Sequence, residues 1–344
     1  MQYTMSDKIN LVDICCGLNW GDEAKGKVTA QLAKSGEYNF VCRWSGGDNA
    51  GHTVYINGTK YKTHLIPCGI FYNVTSIIGP DCVINKESFE KEITYLKQNG
   101  FNTELIKVSP KTNVITDKHI KEDIERYKSQ GTTARGIAPC YRDKYARIGI
   151  QARDIDYFKP YIWDERLYGN ILCEGAQGFW LDINQGNYPY VTSSTTLPYG
   201  ACSLGFPPQL IREIYGASKI YDTRSGIDSI FPENLLDDKE LSLIGQQGKE
   251  FGTTTGRKRK VNWLNMDKLI KSINISGTTI IIISKTDILE ILNICKLIYN
   301  DKIISFNSIE EMKKYINDIL HEHCHRIKKI IYSNDIERID NLHS

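Results

Sequence analysis

Nowhere in the 344 residues is there a run of 18 apolar side chains, so no membrane-spanning helix is expected. The first ten residues, MQYTMSDKIN, are polar, which argues against a secretory leader. Charge of one sign is not in excess: 43 Lys and Arg against 41 Asp and Glu leave a net charge of +2, too little for recognition of nucleic acid by bulk charge. Neither nucleic acid nor a membrane is expected as a partner. No internal repeat, Pro/Gly/Ser-rich linker or low-complexity tract divides the chain, so residues 1–344 read as one large domain. Paired cysteine spacings are missing as well. The ten cysteines are scattered, and only Cys15 and Cys16 adjoin, an arrangement that rarely bridges; reduced thiols and a cytoplasmic location follow as expectations. With 41% apolar and 24% charged residues, the chain has the means to bury a core, which excludes wholesale disorder.

What is present is an alternation of strand and helix signals. Ile9 to Cys16 (INLVDICC) is a short apolar run ending at Gly17, as a buried strand would, and Lys25 to Lys34 then has helical character. Phe40 to Trp44, Ser76 to Ile84, Leu105 to Val108 and Ile171 to Cys173 are further strand candidates. Lys86 to Gln98 is a helix candidate, and Thr53 to Ile66 alternates about Asn57-Gly58, a type I′ hairpin signal. Thr278 to Ser284 (TTIIIIS) is apolar throughout, as in a sheet covered on both faces. Ile309 to Ile330 has helical periodicity. The fold class is therefore α/β: a central, mainly parallel sheet covered by helices, opening with a phosphate-loop-like strand, turn and helix. Ligands belong at the carboxyl ends of such strands.

Gly21 to Lys27 fits the phosphate-loop spacing G-x-x-x-x-G-K, although Val28 stands where a Ser or Thr hydroxyl normally holds magnesium. Glycines allow the tight turn, converging N–H groups and the following helix N-terminus favour anions, and Lys25 and Lys27 add charge. The metal ligand must then come from elsewhere, and Asp22 is the obvious carboxylate. Near the other end, TTIIIIS runs into Lys285-Thr286-Asp287. A carboxylate there can accept from N1–H and the 2-amino group of guanine together, while the Lys stem covers the base; adenine offers no such donor pair. Read singly, the first segment could be an ordinary glycine-rich turn and the second a solvated strand end. Together they point to GTP.

Six longer segments identify a resemblance: GLNWGDEAKGK, GGDNAGHT (Gly46 to Thr53), GTTARGIAPCYRDKYAR (Gly131 to Arg147), EGAQG (Glu174 to Gly178), NYPYVTSSTT (Asn187 to Thr196) and EFGTTTGRKRK (Glu250 to Lys260). In type and order they resemble the adenylosuccinate synthetase family, with a shorter chain than usual between Arg147 and Glu174 and after Asp287. The resemblance implies a Mg2+-requiring ligase that uses GTP to join L-aspartate to C6 of IMP through a 6-phosphoryl intermediate. By that resemblance Asp22 is the general base and His52 the acid, and Asp22 with the Gly51 carbonyl holds the metal. Lys25, Asn49, Thr132, Thr133, Gln177, Thr192 and Arg257 are assigned to the purine monophosphate. Arg147 is assigned to the nucleotide of a partner subunit, which implies a homodimer. Thr253, Thr254, Thr255, Arg257 and Arg259 are assigned to aspartate. GTP falls to Gly21, Asp22, Glu23, Ala24, Lys25, Gly26, Lys27, Gly51, His52, Thr53, Arg259, Lys285, Asp287 and Ser333. Without the family, GRKRK reads as a solvated basic loop.

Departures keep alternatives open. Ala24 replaces a family glycine, and Asn184 replaces an Asp. Thr223 to Asp228 replaces a TRVG-type stretch, so Ser225 can alter recognition of the sugar or of purine position 2. Tyr332 to Asp335 replaces a Ser-Thr-Gly-Pro turn over the guanine, which leaves ATP as a possible donor. Shortened viral relatives act on GMP or dGMP instead of IMP; Asp22 and Glu23 favour IMP here. A catalytically silent GTP-binding module is a third reading, opposed by the Asp22/His52 pair. His321 and His325, at i and i+4, have zinc spacing, but no second ligand cluster accompanies them and a solvated helix face is favoured.

Overall fold

The computed structural model describes residues 8–127, 131–251, 256 and 258–342. Thr253, Thr254, Thr255 and Arg257 lie outside the described residues. The first half of the chain forms β1 (Ile9–Gly17), α1 (Lys25–Ala33), β2 (Phe40–Arg43), β3 (His52–Ile56), β4 (Thr59–Thr63) and β5 (Thr75–Ile78). It continues with β6 (Val83–Asn85), α2 (Lys86–Gln98), β7 (Ile106–Val108), β8 (Asn113–Ile115), α3 (Asp117–Glu122) and α4 (Ile137–Ala146). The second half supplies β9 (Gly169–Glu174), β10 (Ile211–Lys219), β11 (Tyr221–Arg224), α5 (Lys239–Gln247), β12 (Lys260–Asn265) and α6 (Met266–Ser276). It ends with β13 (Ile280–Ser284), α7 (Thr286–Leu292), β14 (Lys296–Tyr299), β15 (Lys302–Ser305), α8 (Ile309–His323) and β16 (Lys329–Ser333).

Eight strands join in the order β16-β13-β10-β1-β9-β2-β5-β7, every neighbouring pair parallel, as the apolar runs require. Both faces are covered. Ile282 packs with Val28 and Leu32 of α1, whereas Ile281 and Ile283 point the other way, into a cluster with Leu269, Met312 and Ile316 of α6 and α8. Each such side chain contributes roughly 1.5–3 kcal/mol by burial. A four-stranded sheet, β11-β12-β14-β15, and the β3–β4 hairpin flank the main sheet. The hairpin turn has φ of 50° at Asn57 and 76° at Gly58, the double left-handed geometry its sequence predicts. Among the described residues no helix is long and apolar enough to cross a membrane.

Two expected elements have different boundaries. Ser76 to Ile84 is two strands, because the Gly79 N–H makes the last rung of the β2 ladder, to the Arg43 carbonyl (2.8 Å), and Pro80 has no N–H to continue one. The helix expected over Ile309 to Ile330 ends at His323, and Lys329 to Ser333 becomes β16 beside β13, with Ile331 opposite Ile282. The central strand β10 has no continuous apolar run to announce it, since IREIYGASK is charged at one end and small at the other. Smallness is a packing requirement at Gly216, where a Cβ would lie 2.7 Å from both Leu18 Cδ1 and Thr278 Cγ2. Gly216→Val is therefore expected to cost about 1–3 kcal/mol through overpacking. Urea unfolding would measure it, and wild-type stability would contradict the packing described.

Candidate active site

Six strands of the main sheet deliver their carboxyl ends to one side: β1 leads into the phosphate loop, β2 into Ser45 to Gly51, and β9 into Gly175 to Gly178. Next to them β10 leads into β11, β13 into Lys285 to Asp287, and β16 into Ser333 and the turn beyond it. A cavity of about 700 Å³ opens there. In the loop after β1, Gly21 (φ 89°), Asp22 (φ 63°) and Ala24 (φ 66°) have left-handed backbone. For Ala24 this geometry costs roughly 1–2 kcal/mol. Glu23 offsets the strain. Its carboxylate is 1% exposed and folds beneath the loop, where Oε1 accepts from the N–H groups of Asn19 (3.1 Å) and Gly21 (2.7 Å), and Oε2 accepts from Lys25 Nζ (2.5 Å). A Cβ at Gly178 would lie 2.5 Å from Glu23 Oε1, and one at Gly17 2.6 Å from Oε2, so both glycines make room for this staple. No side chain caps α1, unlike α2, where Asn85 Oδ1 accepts from Ser88 N–H; the first N–H groups of α1 are thus free of a side-chain acceptor, as an anion site requires.

His52 opens β3 and is buried. Its Nδ1 meets Glu174 Oε1 in a short contact, and Arg43 Nη2 reaches the same carboxylate oxygen. The Cys68 N–H donates to Glu174 Oε2 (2.6 Å). Burial, then the Arg43 charge, pulls the imidazole down to about 4, while Arg43 and His52 hold the Glu174 carboxyl at about 2 despite its burial. The ionised carboxylate selects the tautomer with hydrogen on Nδ1, which leaves Nε2 for the cavity that His52 lines. Cys68 Sγ lies 3.8 Å from Nδ1 and 3.7 Å from Oε1, but the Arg43 guanidinium already neutralises this cluster, which is a hydrogen-bonded set built around an arginine.

Asp22 Oδ2 faces Arg259 Nε at 2.8 Å. Behind Arg259, Glu250 Oε2 accepts from Arg259 Nη1 (2.6 Å) and Lys219 Nζ (2.9 Å), and Glu250 Oε1 accepts from the Tyr221 hydroxyl (2.8 Å). The two cations hold the Glu250 carboxyl at about 2 against burial. Neither Glu174, Glu250, Arg43 nor Lys219 is singled out by sequence reasoning. Glu174 and Glu250 each head a segment that carries the resemblance, which was the available signal.

The cavity gathers the phosphate-loop residues Gly21 to Lys27, then Asn49, Gly51, His52 and Thr53, and then Thr132, Thr133, Gln177 and Thr192. Arg259, Lys285 and Asp287 also lie on its wall. Within it, Glu23 and Lys25 are engaged with one another, and Lys27 Nζ donates to Ser333 Oγ (2.7 Å) and the Asp335 carbonyl (2.5 Å). Both amide atoms of Gln177 are buried without a hydrogen-bond partner. Ser333 does not line the cavity and accepts from Lys27, and Arg147 lies outside the cavity, exposed at the end of α4. His321 Nδ1 is 2.7 Å from the Asn317 carbonyl one turn back, and among the described residues neither it nor His325 belongs to a metal-ligating cluster.

An uncapped helix start, an orphaned amide, a carboxylate and a shielded imidazole around one cavity suit phosphoryl transfer to a polar substrate. The comparisons define the class further. The adenylosuccinate synthetase family model matches residues 14–168 and 159–322. Adenylosuccinate synthetase of Lysinibacillus sphaericus is 37% identical over 83% of this chain and 79% of its own, and that of Enterococcus faecalis 36% identical over 83% and 79%. The fully ligated adenylosuccinate synthetase from Plasmodium falciparum superposes with a TM-score of 0.81 at 27% identity, covering 94% of this chain and 97% of that one. The cyanophage S-2L succinoaminodeoxyadenylate synthetase, bound to dGMP and dATP, shares the fold, with a TM-score of 0.70 at 19% identity over 95% and 93%. The chain belongs to the adenylosuccinate synthetase family. It is a GTP-dependent ligase of purine nucleotide biosynthesis that joins L-aspartate to IMP.

The buried imidazole has a consequence for stability. Its proton affinity lies at about 4 in the fold against 6.5 unperturbed, so between these values the unfolded chain binds a proton that the fold refuses. Stability should fall by up to roughly 3 kcal/mol as pH drops from 6.5 towards 4. Glu174, lowered to about 2, keeps its contribution until pH falls below about 4.5. His52→Gln is expected to flatten the urea-derived stability profile between pH 6.5 and 4.5; an unaltered slope there would show that His52 is charged in the fold.

Proposed function

We propose that ligation proceeds through a 6-phosphoryl form of IMP, with Asp22 as base and His52 as acid. The observation that carries this reading is that the Asp22 carboxylate and the Glu174-backed His52, delivered by different strands, line the same cavity as the phosphate loop. Asp22 accepts the N1 proton of IMP, O6 attacks the γ-phosphorus of GTP, and the bond to the bridging oxygen breaks to release GDP. An anionic phosphoryl oxygen beside His52 Nε2 favours the imidazolium, which then donates to that oxygen. The amine of L-aspartate attacks C6, the C6–O bond breaks, and phosphate leaves with the amine proton. Arg259 orients Asp22 before reaction and is suited to fork onto a carboxylate of aspartate; Arg257 and Thr253 to Thr255 are assigned to the same substrate. Lys25, Asn49, Thr132, Thr133, Gln177 and Thr192 serve the IMP, and Asp287 with Lys285 serves the guanine. The Asp22 carboxylate and Gly51 carbonyl are hard oxygen donors on the cavity wall, where Val28 offers none, and they fit Mg2+. The ion supplies neutralisation of charge on the transferring phosphoryl group.

Phosphate release is expected only when IMP, L-aspartate and GTP are all present, and Asp22→Asn should lower kcat by about 10² or more. Parallel assays with GMP, dGMP and ATP test the alternative substrates and donor. Wild-type turnover by Asp22→Asn would remove the base from the scheme. Free thiols at all ten cysteines, nine of them buried, support a reducing, cytoplasmic setting.

We assign Arg147 to the site of a second subunit. It lies outside its own cavity on the tip of α4, between Tyr145 and Ile148, which are 71% and 72% exposed. In a homodimer, Arg147→Ala and Asp22→Ala subunits, each inactive alone, recover about a quarter of wild-type activity when mixed, because half the dimers are hybrids with one complete site. No recovery from subunits shown to exchange would rule out action of Arg147 across the dimer.

A further inference from the structure

The loop from Gly131 to Gly136 meets the cavity with Gly131, Thr132 and Thr133, and α4 behind it adds its first two residues, Ile137 and Ala138. Three residues of this loop have left-handed backbone: Gly131 (φ 76°), Ala134 (φ 55°) and Gly136 (φ 75°). Such a path persists only where its surroundings fix it. The fixing group is Asp123, a residue that no motif singles out. Its carboxylate is 1% exposed; Oδ1 accepts from the Thr132 hydroxyl (2.9 Å) and Oδ2 from the Gly136 N–H (2.8 Å). One side chain thus spans the loop from its second residue to its last. A change of helical pitch accompanies it: α3 ends at Glu122, and Asp123–Tyr127 continue as a π-helical turn, a device that proteins place mainly at functional sites. Gly136 is seated against the same helix, since a Cβ there would lie 2.9 Å from His119 C and Ile120 N. These bonds also decide what Thr132 can do. Its hydroxyl proton goes to Asp123, and its oxygen accepts from the Ala134 N–H (3.1 Å), so it has no proton to give an anion.

We infer that Asp123 is a positioning residue for the phosphate of IMP: it moulds the Gly131–Gly136 loop and takes up the Thr132 hydroxyl in doing so, which leaves the phosphate to main-chain N–H groups and the Thr133 hydroxyl. Asp123 lines the cavity, but a carboxylate repels a phosphate, so it acts through the loop and not as a ligand. The inference rests on the proposed assignment of Thr132 and Thr133 to IMP. It separates the two threonines, one serving the protein and the other the substrate.

The test compares IMP with inosine, which lacks the phosphate. Calorimetry gives the dissociation constants of both for the wild type, Asp123→Ala, Asp123→Asn, Thr132→Val, Thr133→Ala and the double variant Asp123→Ala/Thr132→Val. Asp123→Ala is expected to weaken IMP by about tenfold or more and to leave inosine as it was. Asp123→Asn, which keeps one acceptor, recovers part of that loss. The double variant is expected to bind IMP about as well as Asp123→Ala, because the two side chains act as one unit. Losses that multiply in the double variant would give Thr132 its own bond to the phosphate and overturn the inference. Equal weakening of IMP and inosine by Asp123→Ala would overturn it too, by making Asp123 a general support of the fold. Should Asp123→Ala fail to fold, Asp123→Asn and its combination with Thr132→Val decide by the same comparison. Failure of the underlying assignment reads differently: Thr133→Ala would then leave the ratio of IMP to inosine affinity at its wild-type value. A ratio that falls in Thr133→Ala and holds in Asp123→Ala overturns the inference alone.

Discussion

A carboxylate with no solvent exposure is stable only beside a fixed cation, and Glu174 meets that condition through strand register. Arg43 closes β2 and Glu174 closes β9, and the parallel pairing sets them opposite each other at the end of the ladder. A slip of one residue between β2 and β9 would turn one of the two side chains to the other face and strand two buried charges. The imidazole leans on this pair, the Cys68 backbone is tied to it, and the hairpin bearing His52 is thereby fixed to the sheet. The placement of His52 at the cavity and the packing of the hairpin on the sheet are secured here by one ion pair.

A second buried pair works in a similar way on the opposite flank. Lys219, the last residue of β10, and Arg259, just before β12, share Glu250, and Arg259 extends the alternation of charge to Asp22. Each ion is compensated by its neighbour, so a cation stands beside Asp22 at the cavity without being desolvated alone. Glu250 precedes the segment that carries the residues assigned to aspartate. The position of Arg259 thus depends on a residue nine places before it and on a strand end forty places before it.

Much of this was legible in the sequence. INLVDICC and TTIIIIS were strands because both faces of the sheet demand apolar side chains, and Asn57-Gly58 was a hairpin because few other pairs tolerate two left-handed residues. His52 and Gln177 were found through long segments that resemble one family, Asp22 through the phosphate-loop spacing and Asp287 through the Lys-x-Asp that follows TTIIIIS, and the structure brings them to one cavity. β10 was missed because its demand is for smallness at Gly216, which a search for apolar runs does not register. The true end of α8 was hidden because Ile327, Ile330 and Ile331 extend a helical spacing into a strand. Glu174, Glu250 and the engagement of Lys27 with Ser333 escaped notice for another reason: pairings over 31 to 306 positions are set by tertiary packing, not by local pattern.

In the loop after β1, shape and reactivity reside in different residues. Glu23 holds the backbone from below, through contacts to main-chain N–H groups and Lys25 that involve nothing of the neighbouring side chain, while Asp22 presents its carboxylate above. The mould does not use the Asp22 carboxylate, but the left-handed backbone at position 22 (φ 63°) restricts what it can display to residues such as Asp, Asn and Gly. Exchange of Asp22 for Asn or Gly would remove the carboxylate that the proposed scheme uses as base and metal ligand, while the Glu23 staple keeps the loop's shape.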